Sequence, residues 1–209
     1  GQPGGVIEYN DEDGSVKNLV GAKPRQIRSY GIHLSFVPED RLGMGLVASM
    51  GMTGNMMLKD YDKGNSFFLN RKEPLELANT IMKELDVSTP SVETPVRQLS
   101  GGNVQKVLVG REIAASPTVL MTAYAVRGLD ISKSYTIYHL LNQQKQKGVA
   151  VIYVGEDLDV LLALSDRILV LCNGHENGVL DARTTTKEEV GRRMTDLVSG
   201  KENSNEGSI

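Results

Sequence analysis

Ser100-Gly101-Gly102-Asn103 open an apolar stretch of helical character. Serine is a favoured N-cap. Two glycines let the backbone come close to a ligand, and the first turn of a helix presents unpaired N–H groups with a positive partial charge. Together these make an anion site, the kind that receives a phosphate. The bland alternative is a capped turn with no ligand. Further along, the apolar run Thr118-Val119-Leu120-Met121 reads as a buried strand. In a nucleotide hydrolase such a strand ends in acidic residues, whereas here it ends in Thr122-Ala123-Tyr124. Neither alanine nor tyrosine holds Mg²⁺ through water or takes a proton from water near neutral pH.

The elements that must position these residues follow from local pattern. "GVIEYN" alternates, "DEDGS" is a turn, "HLSFV" is a β-rich run, and "PRQIRSYGI" suits a short helix with Pro24 in its first turn. Residues 38–70 read as loop, with methionines at 44, 50, 52, 56 and 57 that serve either as an adaptable contact surface or as core filling. Residues 73–86 have helical period, with Leu75, Leu77, Ala78, Ile81, Met82 and Leu85 on one stripe. A proline-marked loop leads to Ser100 and a helix over 101–115. "TVLMTA" is a strand, 132–147 a helix with Gly148 at its C-cap, "VAVIYV" a second apolar strand, "EDLDVLLALS" a short helix and "RILVLC" a third apolar strand. Strands apolar on both faces that alternate with helices imply an α/β fold with a parallel sheet covered by helices on both sides. "ENGVLDAR" reads as an edge strand, "TTTKEEVGRRMTDLV" as a capped helix, and 201–209 as a disordered tail.

Composition narrows the function. With 209 residues, 40% of them hydrophobic and a formal charge of −3, the chain has the make-up of a globular domain without the basic footprint of a nucleic-acid binder. No apolar run is long enough to span a bilayer as a helix. The single cysteine, Cys172, excludes a disulfide within the chain, and His33, His139 and His175 lack ligand-spaced neighbours, so no metal site is expected. Arg111-Glu112 reads as a surface ion pair of little weight, and Phe67-Phe68 as core rather than a base-stacking platform.

The string "LSGGNVQKVLVGREIAASPTVLM", followed by "RGLD" and by "GVAVIYVGEDLDVLLALSDRILVLCNG", resembles the nucleotide-binding domain of ABC transporters. Leu99–Asn103 match the signature motif and Arg127–Asp130 the D-loop. "FVPEDRLGMGLV" resembles the Q-loop region of the second ATPase half in simple-sugar and nucleoside importers. The resemblance runs from about residue 5 to about 195. It implies a partial P-loop NTPase-like fold over 1–200, a helical signature subdomain at about 45–115, and a short N-terminal β region.

It further implies head-to-tail pairing with a second nucleotide-binding domain, with ATP and Mg²⁺ shared between the two. Ser100, Gly101, Gly102 and Asn103 then face the γ-phosphate of a nucleotide held mainly by the partner. Asp130 lies at the domain interface, and Glu39, at the Q-loop position, approaches the metal or attacking water. The 39–70 region contacts a membrane permease on the inner face of the cell membrane, in the cytoplasm.

The sequence departs from that pattern in three places. It contains no G-x-x-x-x-G-K-[ST] P-loop: Gly200-Lys201 is followed by Glu202, with Thr195 where the first glycine belongs. In the family the P-loop precedes the segment with which this sequence opens, so the expectation is a C-terminal piece of a longer protein. Ala123 and Tyr124 stand at the metal-coupled and general-base positions, so no catalytic residue is intact. Glu156 stands at the switch-histidine position. The leading expectation is an ATP-binding domain of a sugar or nucleoside importer that donates its signature motif to a composite site. The alternative is a non-catalytic ABC-like module that binds a partner protein.

Overall fold

The computed structural model describes residues 4–10, 14–60 and 70–195, in two compact units, Gly1–Val154 and Gly155–Ile209. Phe67, Phe68 and the 201–209 tail lie outside the described residues.

The first unit begins with an antiparallel pair, β1 (Glu8–Asn10) and β2 (Val16–Asn18), and the short helix α1 (Pro24–Ser29). Its centre is a parallel sheet in the order β3 (Leu34–Val37), β4 (Val119–Ala123), β5 (Ala150–Val154). Between β3 and β4 every described element is helical: a wide turn at Arg41–Gly45, α2 (Met52–Asp60), α3 (Lys72–Glu84), a 3₁₀ turn at Val96–Gln98, and α4 (Gly101–Ala114). Helix α5 (Ile131–Gln146) joins β4 to β5 and gives way to Gly148 at a φ of 86°.

Period 2 sorts the sheet residues by face. Ser35, Val37, Leu120, Thr122, Val151 and Tyr153 share the face that carries the core. Ser35 Oγ donates to the Glu112 carbonyl of α4, and the Tyr153 ring meets Tyr138 of α5 edge to face. The opposite face bears Leu34, Phe36, Val119, Met121, Ala123, Ile152 and Val154. The α/β class and the parallel order are as expected, but the covering is one-sided among the described residues of this unit: Leu34 is 60% and Ile152 49% exposed.

Two further expectations are corrected. Residues 52–60 form helix rather than loop. Met52 and Met56 are buried in the core, whereas Met44 and Met50 are exposed, so core filling accounts for only part of the methionine cluster. Arg111 and Glu112 are not at the surface. Both are buried, because α4 runs through the core along most of its length, its own Val104, Val107, Leu108 and Val109 packing in the same cluster as Val37, Ile81 and Leu120.

The second unit contains α6 (Leu158–Leu164), β6 (Arg167–Cys172), β7 (His175–Asp181) and α7 (Lys187–Thr195). "RILVLC" was expected to extend a parallel sheet. It pairs antiparallel with β7 instead, burying Ile168, Val170 and Cys172 while Leu169 and Leu171 face outward. Thr186 caps α7 by accepting from the Glu189 N–H at 3.2 Å, as the T-x-x-E pattern predicts. No helix among the described residues is long and apolar enough to cross a membrane.

Candidate functional site

Ser100 is extended (φ −64°, ψ 153°), and its Oγ accepts from the Asn103 N–H at 3.4 Å, which caps α4. Ser100 and Gly101 are exposed and Gly102 is buried. The stem of Lys133 lies directly over Gly102, in the space a β-carbon would need. Asn103 is committed within the chain. Its Oδ1 accepts from the Ser88 N–H and its Nδ2 donates to the Ser88 carbonyl, both at 3.2 Å, which pins the preceding loop to α4.

A cleft of about 370 Å³ opens beside this helix start, lined by Glu39, Asp40, Arg41, Leu42, Leu99, Gly101 and Val104. Glu39 is exposed and pairs with Arg127 at 2.6 Å. Arg41 Nε donates to Gln105 Oε1 at 2.7 Å, and its Nη2 donates to the Arg127 carbonyl. Burial holds the Arg41 guanidinium below its ordinary pKa, partly offset by the charge of Glu39.

Strand β4 ends in a sharp turn. Tyr124 has a φ of 50°, an uncommon setting for a bulky residue, and its N–H donates to the Val154 carbonyl at 2.8 Å. The Arg127 guanidinium stands 5.8 Å from the Tyr124 ring centre. Asp130 caps α5 by accepting from the Lys133 N–H at 2.9 Å, and Lys133 Nζ reaches the other carboxylate oxygen at 2.5 Å. These hydrogen bonds from Lys133 hold the Asp130 carboxyl below the ordinary carboxylate pKa.

The structure therefore gathers Ser100, Gly101, Gly102, Glu39 and Asp130 around one helix N-terminus, with Tyr124 reached through Arg127. Glu156 belongs to the second unit, where it is exposed beside Asp157, the N-cap of α6. Arg41, Gln105 and Lys133 were not legible as site residues. Their side chains enter through contacts 64 and 86 positions away for Arg41, and no local spacing signals such contacts. An anion fits the exposed amides and the Arg41 edge. A divalent cation finds no ligand set here: Ala123 and Tyr124 offer no carboxylate, and the described residues hold no group of three or more His, Cys, Asp or Glu that could hold a metal.

The overall fold recurs in solved structures. The chain superposes on an ATP-binding cassette solved as a dimer in a post-hydrolysis state with ADP and Pi. The TM-score is 0.67, with 20% identity and coverage of 81% of this chain and 72% of the other. The fold is that of an ABC ATPase cassette. A metal-chelate type ABC transporter in an inward-facing conformation gives a TM-score of 0.64 at 17% identity, covering 78% of this chain and 63% of that one.

Sequence comparison adds a subgroup. The chain is 37% identical over 157 residues to the xylose import ATP-binding protein XylG of Moorella thermoacetica, covering 75% of this chain and 31% of that protein. It is 34% identical over 205 residues to the guanosine import ATP-binding protein NupO of Bacillus subtilis, covering 95% of this chain and 39% of that protein. The chain thus spans roughly a third of the length of these relatives. It resembles the ATP-binding proteins of sugar and nucleoside import systems. No protein-family model matches the chain.

Proposed function

We propose that this chain donates a signature motif to an ATP site completed by a second nucleotide-binding domain, in an importer of the sugar or nucleoside class. The observation that carries the reading is the pairing of an intact, exposed helix start with an eroded strand end. Ser100 and Gly101 present free amides beside Arg41, while Ala123 and Tyr124 cannot organise a metal or a water. The chain's own residues bind and orient a phosphate. The P-loop, the metal ligands and the general base come from the partner domain. ATP with Mg²⁺ supplies the energy of uptake, and the partner holds most of the nucleotide. The exposed residues of the 39–50 segment, Met44 and Met50 among them, suit a permease contact at the inner membrane face.

The Lys133 stem over Gly102 favours a second reading. A signature glycine already covered by its own chain fits a non-catalytic module that keeps the cassette shape to hold a partner protein.

Titration calorimetry with Mg-ATP separates the two. The chain alone is expected to bind no ATP, and a mixture with a P-loop-bearing nucleotide-binding domain of the sugar-import class is expected to bind it more tightly than that domain alone. Ser100→Arg is expected to abolish the gain. No gain on mixing favours the second reading. Micromolar binding by the chain alone overturns the assignment of the phosphate site.

A further inference from the structure

Three segments far apart in sequence meet at the Arg41 guanidinium. Its Nε donates to Gln105 on α4 and its Nη2 to the backbone carbonyl of Arg127 at the D-loop. Its Nη1 makes no hydrogen bond among the described residues and lies 3.3 Å from where a β-carbon would stand on Gly101. Gln105 is wholly buried one turn beyond Gly101, and its Nε2 has no partner among the described residues, so Arg41 is what fixes its amide. Two neighbouring links brace the same segment. Glu39 pairs with the Arg127 side chain at 2.6 Å, and Arg111 Nη2 of α4 donates to the Gly45 carbonyl at 2.7 Å.

We propose that Arg41 is a positioning residue whose planar fork locks the first turn of α4 to the Arg127–Asp130 turn, so that the two segments move as one body. The inference deepens the signature-donor reading and rests on it for its functional meaning. A helix start serves a phosphate only while its amides are held in one direction. The exposed surface around Glu39, Arg127 and Asp130 is where a docking domain would press. A displacement there is carried to the α4 amides through Arg41 instead of being absorbed in the loop.

The residue type is part of the argument. A guanidinium sends separate N–H groups to two acceptors in fixed directions, whereas an ammonium is a single point charge on a flexible stem. Partial burial strengthens such charge-assisted bonds. Arg41→Lys therefore keeps the charge and loses the brace.

Amide hydrogen exchange on this chain tests the brace directly. Arg41→Ala is expected to raise exchange roughly tenfold at Asn103–Val104 and at Leu129–Lys133 together, relative to Leu120 and Met121 in β4, the size expected for losing charge-assisted hydrogen bonds. Arg41→Lys is expected to leave both segments raised. A rise in one segment only, or in neither, overturns the proposal. If Arg41→Ala does not fold, Gln105→Leu replaces it. That variant is expected to free the first turn of α4 while Leu129–Lys133 stay protected, and an unchanged α4 overturns the proposal.

The functional arm uses Mg-ATP and the P-loop-bearing domain. Arg41→Lys is expected to weaken the ATP-dependent pairing roughly tenfold at a temperature where the variant is still fully folded, and unchanged pairing overturns the functional role of the brace. If Ser100→Arg leaves pairing intact, the signature-donor reading has failed, and the exchange data still decide what Arg41 does.

Discussion

Lys59 Nζ and Glu112 Oε2 meet at 2.7 Å, although the Glu112 side chain is only 1% exposed. The same carboxylate accepts from Arg111 at 2.9 Å through Oε1 and from the Phe36 N–H at 3.2 Å, so one buried acid ties α2, α4 and β3 together. Removing the charge strands a buried guanidinium. Glu112→Gln, which keeps shape and volume, is expected to destabilise the chain by about 3–5 kcal/mol. Lys59 is a third exposed, so Lys59→Met is expected to cost less than about 1 kcal/mol. Urea denaturation of the two variants checks the contrast, and equal losses would mean that Glu112 is not the hub.

Two glycines in tight quarters are expected to respond differently to alanine. At Gly51 a β-carbon would stand 2.6 Å from the Val92 carbonyl oxygen and 2.7 Å from backbone atoms of Glu93, none of which yields easily. Gly51→Ala is expected to cost about 1–3 kcal/mol by overpacking. At Gly102 the obstacle is the Lys133 stem, which swings aside. The loss of that packing is offset by the helix propensity of alanine over glycine, about 1 kcal/mol. Gly102→Ala is thus expected to leave Tm nearly unchanged while loosening the Lys133–Asp130 pair, read from the Lys133 side-chain NMR signal.

What was legible in the sequence was local. Ser100 as a cap, the apolar runs of β4 and β5, and Gly148 after α5 each follow from residues that act on their own neighbours, and all three appear in the structure. Helix α2 was not legible, because "GMTGNMMLKD" carries two glycines and no cap pattern. It is held by tertiary contacts: Met52 and Met56 in the core, and Asn55 bonded to Val47, Met50 and Gly51. The partner of β6 was illegible for another reason. After Arg167 the run is apolar at every position from Ile168 to Cys172 and has no period 2 to read, so it gave no sign of its outward-facing leucines. Ser100 and Gly101 stood out as candidates by type and order and Glu39 through the family resemblance alone, whereas Arg41 and Lys133 join those candidates only through contacts that folding makes.

Asp130 gives the site a pH dependence with a defined sign. Its folded pKa is lowered from the ordinary 3.8, chiefly by the Lys133 side-chain and backbone hydrogen bonds. A depressed carboxyl contributes stability that is fully present above the unfolded value and lost as pH falls through the folded one. Asparagine is as good a cap but carries no charge. The stability difference between the wild-type chain and Asp130→Asn is therefore expected to be constant near neutrality and to shrink as pH falls below 3.8. Denaturation midpoints from pH 7 downward check this, and a difference that grows in acid would reverse the assignment.

The strand end offers the sharpest functional test. Ala123→Asp with Tyr124→Glu returns both acids to the end of β4, where Ala123 pairs with Val154 in the sheet and Tyr124 begins the turn. Glutamate tolerates a φ of 50° no better than tyrosine, so strain is not relieved, and the Arg127 guanidinium exchanges a ring for a carboxylate. If the chain's role is to complete a site built elsewhere, the acids alone are not enough, because no P-loop sequence brings a nucleotide to them. The double variant is expected to fold, to pair as before with a P-loop-bearing domain, and to release no phosphate from Mg-ATP on its own. Phosphate release by the isolated variant above that of the wild-type chain would show that this cassette holds a nucleotide by itself, and would move the phosphate site away from the α4 amides.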